Sequence, residues 1–251
     1  LMFVGLAGSG KTEVIKQTLN KLDRSKVMSA EITANYYMEH LEIQREIEGS
    51  IDKRSGRIFG PPPGKRLAYF VDDFNLPFIE DYGTQSAHEL LRMIVNFKNL
   101  FDRDDLSFRK EFEDLQYMCA MNPTNGSFTV SERIQRHFSC VAVAVPTAAQ
   151  CSVIFSQIMN GHLGDFNGDV QKIGVSVMQC LFDTHAMVAD KFLPSSVKFM
   201  YNWNLRELNN TVKGMCRATP KETSTELAFS RLFVHEIHRV YRDRMVSLKG
   251  E

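Results

Sequence analysis

The amino-acid sequence predicts an α/β protein, with a five-stranded parallel sheet sandwiched by helices and a smaller region of helices alone after it. Up to residue 146, short apolar runs alternate with helical patterns along the chain. The runs are continuously apolar, which indicates strands buried on both faces, as in a parallel sheet between helices. After residue 146 only helical patterns remain. We therefore expect two subdomains, residues 1–146 and residues 147–251.

Five strands are predicted in the first part, each from a short apolar run. In chain order they cover residues 1–4, 27–33, 67–71, 115–121 and 140–145. The helical patterns between them cover residues 14–22, 36–47, 86–101 and 132–138. Residues 48–66 are polar and rich in Gly and Pro, so we expect a loop or insertion there, with a small hairpin around residues 53–56.

Three or four helices are predicted in the second part, from patterns over residues 148–159, 170–192, 204–215 and 224–245. Asn204 begins the third of them, and Glu207 follows three residues later, which is the spacing of a capping box. Arg206 therefore lies in the first turn of that helix. Trp203, next to the cap, is interpreted as a packing anchor rather than a surface on which a ligand stacks.

The composition excludes several classes of protein. The 251 residues include 30 Lys and Arg and 30 Asp and Glu, and this zero net charge argues against binding of nucleic acid through charge. No apolar run reaches the roughly 18 residues of a membrane span. The five cysteines form no CxxC pair, so we interpret them as buried free thiols of a reducing compartment. An apolar strand at residue 1 suggests a piece of a longer protein.

A glycine-rich motif lies between the first strand and the first helix. It fits the pattern GxxxxGK[ST] and consists of Gly5, Leu6, Ala7, Gly8, Ser9, Gly10, Lys11 and Thr12. Glycines allow successive backbone N–H groups to converge on a phosphate, and the following helix adds its positive end. We expect Lys11 to reach the β- and γ-phosphates of a nucleotide and Thr12 to bind Mg²⁺. An ordinary glycine-rich turn is the alternative.

Two carboxylates, Asp72 and Asp73, follow the third apolar strand. Open α/β sheets bind ligands at the carboxyl ends of their strands, so this position favours a role with the nucleotide. Asp72 is the expected Mg²⁺ ligand, and Asp73 is expected to polarise the attacking water. Asn122 ends the fourth strand and could orient that water or contact the γ-phosphate, although Asn before Pro is also a common turn.

Two arginines, Arg133 and Arg136, lie in the short helical pattern 132–138. A guanidinium suits phosphate because it is planar and always charged. From these residues alone, however, two solvated helix arginines are the simpler interpretation.

Together these features resemble an AAA+ ATPase module with an α/β core and a helical lid. The resemblance is closest over the stretches GPPPGKR (60–66), FVDDFNLP (70–77), MNPTNGSF (121–128), RIQRHF (133–138) and YNWNLRE (201–207). This pattern is similar to the third AAA+ module in the motor ring of axonemal dynein heavy chains, most of all the outer-arm type. It extends over nearly the whole chain and is more specific than the glycine-rich motif alone.

The resemblance implies a role for each matching residue. Residues 5–12 correspond to Walker A, Asp72 and Asp73 end Walker B, Asn122 is sensor I and Arg206 is sensor II. Arg136, with Arg133 as the alternative, corresponds to the arginine finger that serves the nucleotide of a neighbouring module. Most AAA+ sites have Glu where this chain has Asp73. The shorter side chain implies slow hydrolysis.

The function implied by the resemblance is that of a regulatory module. It binds ATP or ADP with Mg²⁺, hydrolyses ATP slowly, and through its nucleotide state controls the main motor site in the first module. The alternative is a structural module that holds a nucleotide without turnover. The implied partners are the neighbouring AAA+ modules and, through other parts of the heavy chain, dynein intermediate and light chains and microtubules. The implied location is the cytoplasm, in the axoneme of a cilium or flagellum.

Overall fold

The computed structural model describes residues 1–123 and 130–246, and the chain forms two compact units. The first unit is Leu1–Val145 and the second is Pro146–Glu251. The division lies one residue before the one expected from the sequence. Part of the similar stretch 121–128, from residue 124 onward, lies outside the described residues, as do residues 247–251 of the expected second subdomain.

The first unit combines a parallel sheet with flanking helices. Its described strands are β1 (Met2–Val4), β2 (Val27–Thr33), β3 (Asp52–Ser55), β4 (Ile58–Gly60), β5 (Arg66–Asp72), β6 (Asn99–Phe101), β7 (Arg109–Phe112), β8 (Leu115–Met121) and β9 (Cys140–Ala142). Its described helices are α1 (Lys11–Lys21), α2 (His40–Glu48), α3 (Ser86–Phe97) and α4 (Glu132–Gln135). The main sheet has the order β2-β5-β8-β1-β9, and each neighbouring pair is parallel. The predicted five-stranded parallel sheet is therefore confirmed.

The main sheet is buried on both faces, and β5 shows this most clearly. Leu67, Tyr69 and Val71 belong to one apolar cluster, which also contains residues of α2 and α3. Ala68 and Phe70 belong to another cluster, which contains residues of α1. Successive side chains of a strand point to opposite faces, so alternate residues of β5 meet different layers of helices. This is why the strand is continuously apolar rather than alternating.

A second sheet is formed by the predicted hairpin, by the last residues of a predicted helix and by residues 109–112, for which no element is predicted. Its order is β3-β4-β7-β6, in which only the β4–β7 pair is parallel. The predicted hairpin around residues 53–56 is confirmed by the antiparallel pair β3–β4, whereas the prediction of a helix as far as residue 101 is wrong. The helix α3 ends because Lys98 adopts a left-handed conformation, with φ of 54°, after which Asn99–Phe101 pairs with β7.

A cation with little exposure anchors this second sheet to α2. Lys110 of β7 is 9% exposed and forms ion pairs with Glu48 of α2 at 2.8 Å and with Asp102 at 2.7 Å. Hydrogen bonding from Lys110 lowers the pKa of the Asp102 carboxyl to about 2. The amide of Gln44, also on α2, donates to the same carboxylate at 3.1 Å. Charged and polar side chains thus join α2 to the strands β6 and β7.

Other boundaries in the first unit also differ from the prediction. The helix α2 begins at His40 rather than at residue 36, because the Asn35 side chain accepts a hydrogen bond from the Tyr37 amide and favours a turn. The helix α4 ends at Gln135 and β9 ends at Ala142. The strand β9 is short and exposed because it forms an edge of the main sheet.

The second unit is helical. Its described elements are α5 (Ala148–Leu163), α6 (Gly168–Lys191), α7 (Leu205–Met215), α8 (Glu226–Val240) and the 3₁₀ turn Arg242–Arg244. All of the helical patterns predicted here are confirmed as helices, although α5 continues to Leu163 and α8 ends at Val240. Asn204 and Glu207 form the expected capping box. Trp203 stacks with Tyr201 and Tyr241, at centroid distances of 6.0 and 5.6 Å, which confirms its packing role.

The prediction that the cysteines are buried is wrong for two of the five. All are free thiols; Cys119 and Cys151 are buried and Cys216 is intermediate, whereas Cys140 on β9 and Cys180 on α6 are exposed. Their apolar sequence neighbours gave no sign of this, because β9 is an edge strand and Cys180 lies on the outer side of α6. Within residues 1–123 and 130–246, no helix is both long and apolar enough to cross a membrane.

Candidate functional site

The phosphate loop, residues 5–12, connects β1 to α1. Gly8 and Gly10 have φ angles of 77° and 87°, a left-handed conformation that glycine adopts without steric cost. Gly5 lies against the main-sheet edge, where a Cβ atom would collide with the carbonyl oxygen of Val143. Glycine is therefore needed at these three positions for two reasons, the backbone conformation and the close approach of another segment.

Lys11 lies folded over this loop. Its Nζ donates to the carbonyl oxygens of Gly5 at 2.7 Å and Leu6 at 2.9 Å, and to Ser9 Oγ at 3.4 Å. Because Lys11 is the first residue of α1, its ammonium adds to the positive end of that helix. Ala7 is partly exposed in the same loop. The loop thus combines backbone N–H groups with a cation, and this combination suits a phosphate.

Thr12 and Asp72 come together although 60 residues separate them. Thr12 Oγ1 donates to Asp72 Oδ2 at 2.9 Å. The hydroxyl comes from the first turn of α1, and the carboxylate comes from the last residue of β5. Hydroxyl and carboxylate oxygens are the ligands that Mg²⁺ prefers, so this pair fits the metal expected from the sequence.

Asp73 lies in a tight turn after β5, which we call the acidic turn (residues 72–77). Asp73 is exposed, and its φ of 51° is left-handed, which is uncommon for a residue other than glycine. Its amide donates to Asp72 Oδ1 at 3.0 Å, and its carbonyl accepts from the Leu76 amide at 3.0 Å. The Asp72 carboxylate is thus held at one oxygen by Thr12 and at the other by the backbone of the turn.

Asn122 lies at the same edge of the main sheet. The strand β8 lies between β5 and β1, and because the three strands are parallel, their carboxyl ends meet at one edge. The Gly5 amide donates to the carbonyl oxygen of Met121 at 3.2 Å, and Asn122 is the next residue, 8% exposed. The topology therefore brings the phosphate loop, the acidic turn and Asn122 to a single place.

The two candidate finger residues lie on α4 and just after it. Arg133 Nη1 is 3.8 Å from Glu89 Oε2 on α3, and the Arg133 side chain is 66% exposed. Arg136 is exposed, and its Nε donates to the imidazole of His137 at 3.3 Å. Both arginines are thus at the surface of the first unit, where a residue that serves a neighbouring module must be.

Arg206 belongs to the second unit. It lies exposed in the first turn of α7, and its amide donates to Asn204 Oδ1 at 2.8 Å. The capping box with Glu207 fixes where the helix begins, and therefore fixes the place of Arg206 within that unit. Its contact with a γ-phosphate stays a prediction.

Two buried residues, His88 and Gln85, hold the acidic turn. They lie at the start of α3 and are 1% and 3% exposed. The His88 Nε2 atom is 2.6 Å from the carbonyl oxygen of Phe74, and Nδ1 is 2.6 Å from Gln85 Oε1. Gln85 Nε2 donates to the carbonyl oxygen of Pro77 at 2.8 Å. No sequence pattern signals these residues, because in the sequence they are ordinary polar side chains at a helix start.

Comparison with known proteins agrees with this arrangement. Residues 1–146 match the family described as the P-loop containing dynein motor region, and residues 176–251 match the AAA+ lid domain. The chain is 38% identical over 249 residues to the ciliary dynein beta chain of Tripneustes gratilla. It is 38% identical over 246 residues to the flagellar outer arm dynein beta chain of Chlamydomonas reinhardtii. It is 37% identical over 251 residues to dynein axonemal heavy chain 9 of Homo sapiens.

These alignments cover 98%, 98% and 99% of this chain, but only 6%, 5% and 6% of the respective relatives. The chain thus spans a small part of the length of the dynein heavy chains that it matches. The first family match covers the α/β unit that carries the phosphate loop, and the lid match lies within the helical unit. The chain therefore belongs to the family of P-loop-containing dynein motor regions, and it carries the AAA+ lid of that architecture.

Proposed function

We propose that this chain is a Mg²⁺–ATP-binding AAA+ module of an axonemal dynein heavy chain, the third of the motor ring, which hydrolyses ATP slowly and regulates the motor. The single observation that supports this most is the hydrogen bond of 2.9 Å between Thr12 Oγ1 and Asp72 Oδ2. It joins the two expected Mg²⁺ ligands beside a glycine-rich loop that ends in Lys11. Bound phosphates need this combination of a metal, a cation and backbone donors.

Each predicted site residue has a distinct task in this proposal. The loop residues Gly5, Ala7, Gly8, Ser9 and Gly10 surround the phosphates with backbone, and Lys11 neutralises the β- and γ-phosphates. Mg²⁺ on Thr12 and Asp72 would neutralise the charge that develops on the phosphate oxygens. Asp73 polarises the attacking water, and Asn122 orients it.

Slow turnover is the expected consequence of Asp73. Its side chain is one methylene shorter than the Glu that most AAA+ sites carry, so its carboxylate approaches the water less well. Its left-handed backbone further restricts the directions that the side chain can take. Binding of the nucleotide does not depend on this residue in the proposal, so tight binding and slow hydrolysis can coexist.

Regulation depends on Arg206 in the helical lid. In the proposal, Arg206 contacts the γ-phosphate from the lid and Asn122 contacts it from the α/β unit, so loss of that phosphate moves the lid against the core. Arg136, or alternatively Arg133, acts as the finger for the nucleotide of a neighbouring module.

With Arg206→Ala, the difference in hydrogen exchange of α7 between the ATP and ADP states should disappear. An unchanged difference contradicts the switch.

The partners and setting follow from the proposed place in the motor ring. The direct partners are neighbouring AAA+ modules of the same heavy chain. Intermediate chains, light chains and microtubules contact other parts of the heavy chain. The relatives are named as ciliary, flagellar outer arm and axonemal dyneins, which supports a cytoplasmic setting in the axoneme of a cilium or flagellum.

The direct test of nucleotide binding is Lys11→Ala in the complete heavy chain. Hydrogen exchange of the peptide that covers residues 5–12 is followed while ATP and Mg²⁺ are titrated. We expect the apparent affinity to fall at least about tenfold, because the phosphates lose their cation. The matched control is Lys16→Ala. Lys16 lies on the same helix as Lys11, and the change removes its surface ion pair with Glu31 of β2. Equal affinity in the two variants contradicts the proposal.

A structural module that holds a nucleotide without turnover is the second candidate, and the observation that favours it is the exposed, short Asp73. Asp73→Asn distinguishes the two in single-turnover phosphate release from the complete heavy chain, with the Lys11→Ala signal subtracted to isolate this module. Slow release that falls further in Asp73→Asn supports hydrolysis. The structural candidate instead predicts that wild type and variant have the same, negligible release.

A further inference from the structure

We propose that His88 is a positioning residue for the nucleotide site, because it ties the acidic turn, and with it Asp72 and Asp73, to the start of α3. This inference rests on the proposed function, since it concerns the same Mg²⁺–ATP site. His88 acts through the backbone of the turn rather than by contact with the reacting groups.

The acidic turn needs support from outside. The left-handed conformation of Asp73 is strained for a residue with a Cβ atom, and such strain persists only where the surrounding structure holds it. On one side, the Phe74 amide donates to the carbonyl oxygen of Ala120 in β8 at 3.0 Å. That bond fixes the turn against the main sheet, and it leaves the Phe74 carbonyl for a partner on the helix side.

His88 and Gln85 supply that partner and a second one. His88 lies 2.6 Å from the Phe74 carbonyl oxygen, and Gln85 donates to the Pro77 carbonyl oxygen at 2.8 Å. The rings of His88 and Phe74 also stack, with centroids 4.2 Å apart and an interplanar angle of 23°. The middle and the end of the turn are thus bonded to two side chains that contact each other and that are almost completely buried.

The hydrogen-bonding roles in this network are restricted. A carbonyl oxygen only accepts, so Gln85 must present Nε2 to Pro77 and Oε1 to His88. Both ring nitrogens of His88 therefore face acceptors, and a neutral ring can satisfy one of them. The tautomer with hydrogen on Nε2 keeps the bond to the turn. A side chain that donates from the position of Nε2 should therefore replace His88, whereas an apolar one should not.

The conformation of the acidic turn also fixes the carboxylates of Asp72 and Asp73. The Asp73 amide donates to Asp72 Oδ1, so a turn that opens removes one of the two hydrogen bonds on the expected Mg²⁺ ligand. The direction of the Asp73 side chain changes with the same backbone. Release of the Phe74 carbonyl should therefore weaken Mg²⁺ binding, so that nucleotide binding needs a higher Mg²⁺ concentration while the phosphate loop itself stays intact.

The first experiment measures hydrogen exchange of peptides covering residues 70–80 in the complete heavy chain without nucleotide. We expect exchange to be about tenfold faster in His88→Leu, because a buried carbonyl loses its donor, and within about twofold of wild type in His88→Gln. The control is Ile94→Ala, a buried site six residues further along α3. If Ile94→Ala accelerates exchange of this peptide as much as His88→Leu, the effect is general loosening and the proposal fails.

The second experiment titrates Mg²⁺ at fixed ATP and follows protection of the peptide that covers residues 5–12. His88→Leu should need about tenfold more Mg²⁺, and His88→Gln should resemble wild type. If His88→Leu does not fold, Gln85→Ala, which releases the Pro77 carbonyl and leaves the Phe74 carbonyl to His88, should show a smaller shift in the same direction. A looser turn with unchanged Mg²⁺ dependence overturns the positioning role. Absence of Mg²⁺–ATP binding in wild type overturns the proposed function first, and this inference with it.

Discussion

The main sheet and the second sheet of the first unit are held together by different forces. In the main sheet, β5 is almost entirely apolar, and Tyr69 and Phe70 are 0% and 1% exposed. In the second sheet, β3 and β7 contain mostly charged residues, and the anchor is the cation of Lys110 between Glu48 and Asp102. Apolar burial holds the first sheet, whereas the second sheet combines buried apolar residues, Leu100 and Phe112, with paired charges.

The positions of the two sheets explain this difference. The carboxyl edge of the main sheet carries the phosphate loop and the acidic turn, which need a rigid support. The second sheet joins the opposite edge, because β4 leads to the amino end of β5 and β7 leads to the amino end of β8. The candidate site therefore depends on the apolar sheet, and the charged sheet is an addition at the opposite edge.

The largest expected effect comes from the apolar core of the main sheet. Phe70→Ala should lower the free energy of unfolding by about 4 kcal/mol, since a fully buried ring leaves a cavity. Phe59→Ala in β4 should lower it by only about 2 kcal/mol, because Phe59 is partly exposed. Chemical denaturation of both variants measures the difference. Equal losses would show that the two sheets do not differ in this way.

A smaller effect is expected from the charged anchor. Lys110→Met leaves the carboxylates of Glu48 and Asp102 without their cation and should lower the free energy of unfolding by about 2 kcal/mol. The loss stays below that of a fully buried pair because the Glu48 side chain is 29% exposed.

The matched control for Lys110 is Lys16, whose ion pair with Glu31 is 2.6 Å long but has both side chains about two-fifths exposed, at 41% and 42%. Lys16→Met should change stability by less than about 0.5 kcal/mol, because solvent screens the pair. If both variants lower the free energy of unfolding equally, burial does not make the Lys110 ion pairs stronger than the exposed one. Paired charges would then not explain how the second sheet is held.

The last pair of predictions concerns acid, and it has the smallest effect near neutral pH. His88, beside the acidic turn, and Asp102, beside the second sheet, should lose their contributions to stability at different pH values. Burial lowers the pKa of His88 to about 4 from 6.5, although the Phe74 carbonyl and the carboxylate of Glu89 oppose this shift. Glu89 is itself paired with Arg92 and Arg133. The unfolded chain therefore binds a proton more readily than the folded one, so stability is complete above pH 6.5 and falls as the pH decreases towards 4.

Asp102 in the second sheet has a different window. Its pKa is about 2 instead of 3.8, chiefly because Lys110 donates to it, so its contribution is complete above pH 3.8 and is lost as the pH falls towards 2. Denaturation across this range should show two steps. His88→Gln should remove the upper step and Asp102→Asn the lower one, and a variant that removes neither contradicts the assignment.

The main sheet could be predicted from the sequence, whereas only the β3–β4 hairpin of the second sheet could be. In β5, burial on both faces leaves an apolar residue at every central position, which is a strong local signal. In β7, only Lys110 and Phe112 are buried. The sequence does not show that a lysine is buried, so this strand has no apolar pattern to reveal it. The end of α3 at Lys98 was missed for a similar reason, because a left-handed residue that is not glycine leaves no local mark.

The same contrast applies to the candidate site. The phosphate loop, Asp72 and Asp73 could be identified because their chemistry demands particular residues at particular spacings. His88 and Gln85 act on the acidic turn through two backbone carbonyls. Every residue has a backbone carbonyl, so this kind of contact leaves no pattern in the sequence of the turn. Support of this kind can be identified only from the three-dimensional structure, in which the start of α3 lies beside the acidic turn.

The two exposed cysteines offer an experimental use that their sequence neighbours concealed. Cys140 belongs to the α/β unit and Cys180 to the helical unit, and both are free thiols. Once Cys216, a thiol of intermediate exposure, is replaced by Ser, maleimide dyes or spin labels could be attached to one native site in each unit, while Cys119 and Cys151 are shielded by burial. The distance between the labels would report directly, nucleotide by nucleotide, whether lid and core move.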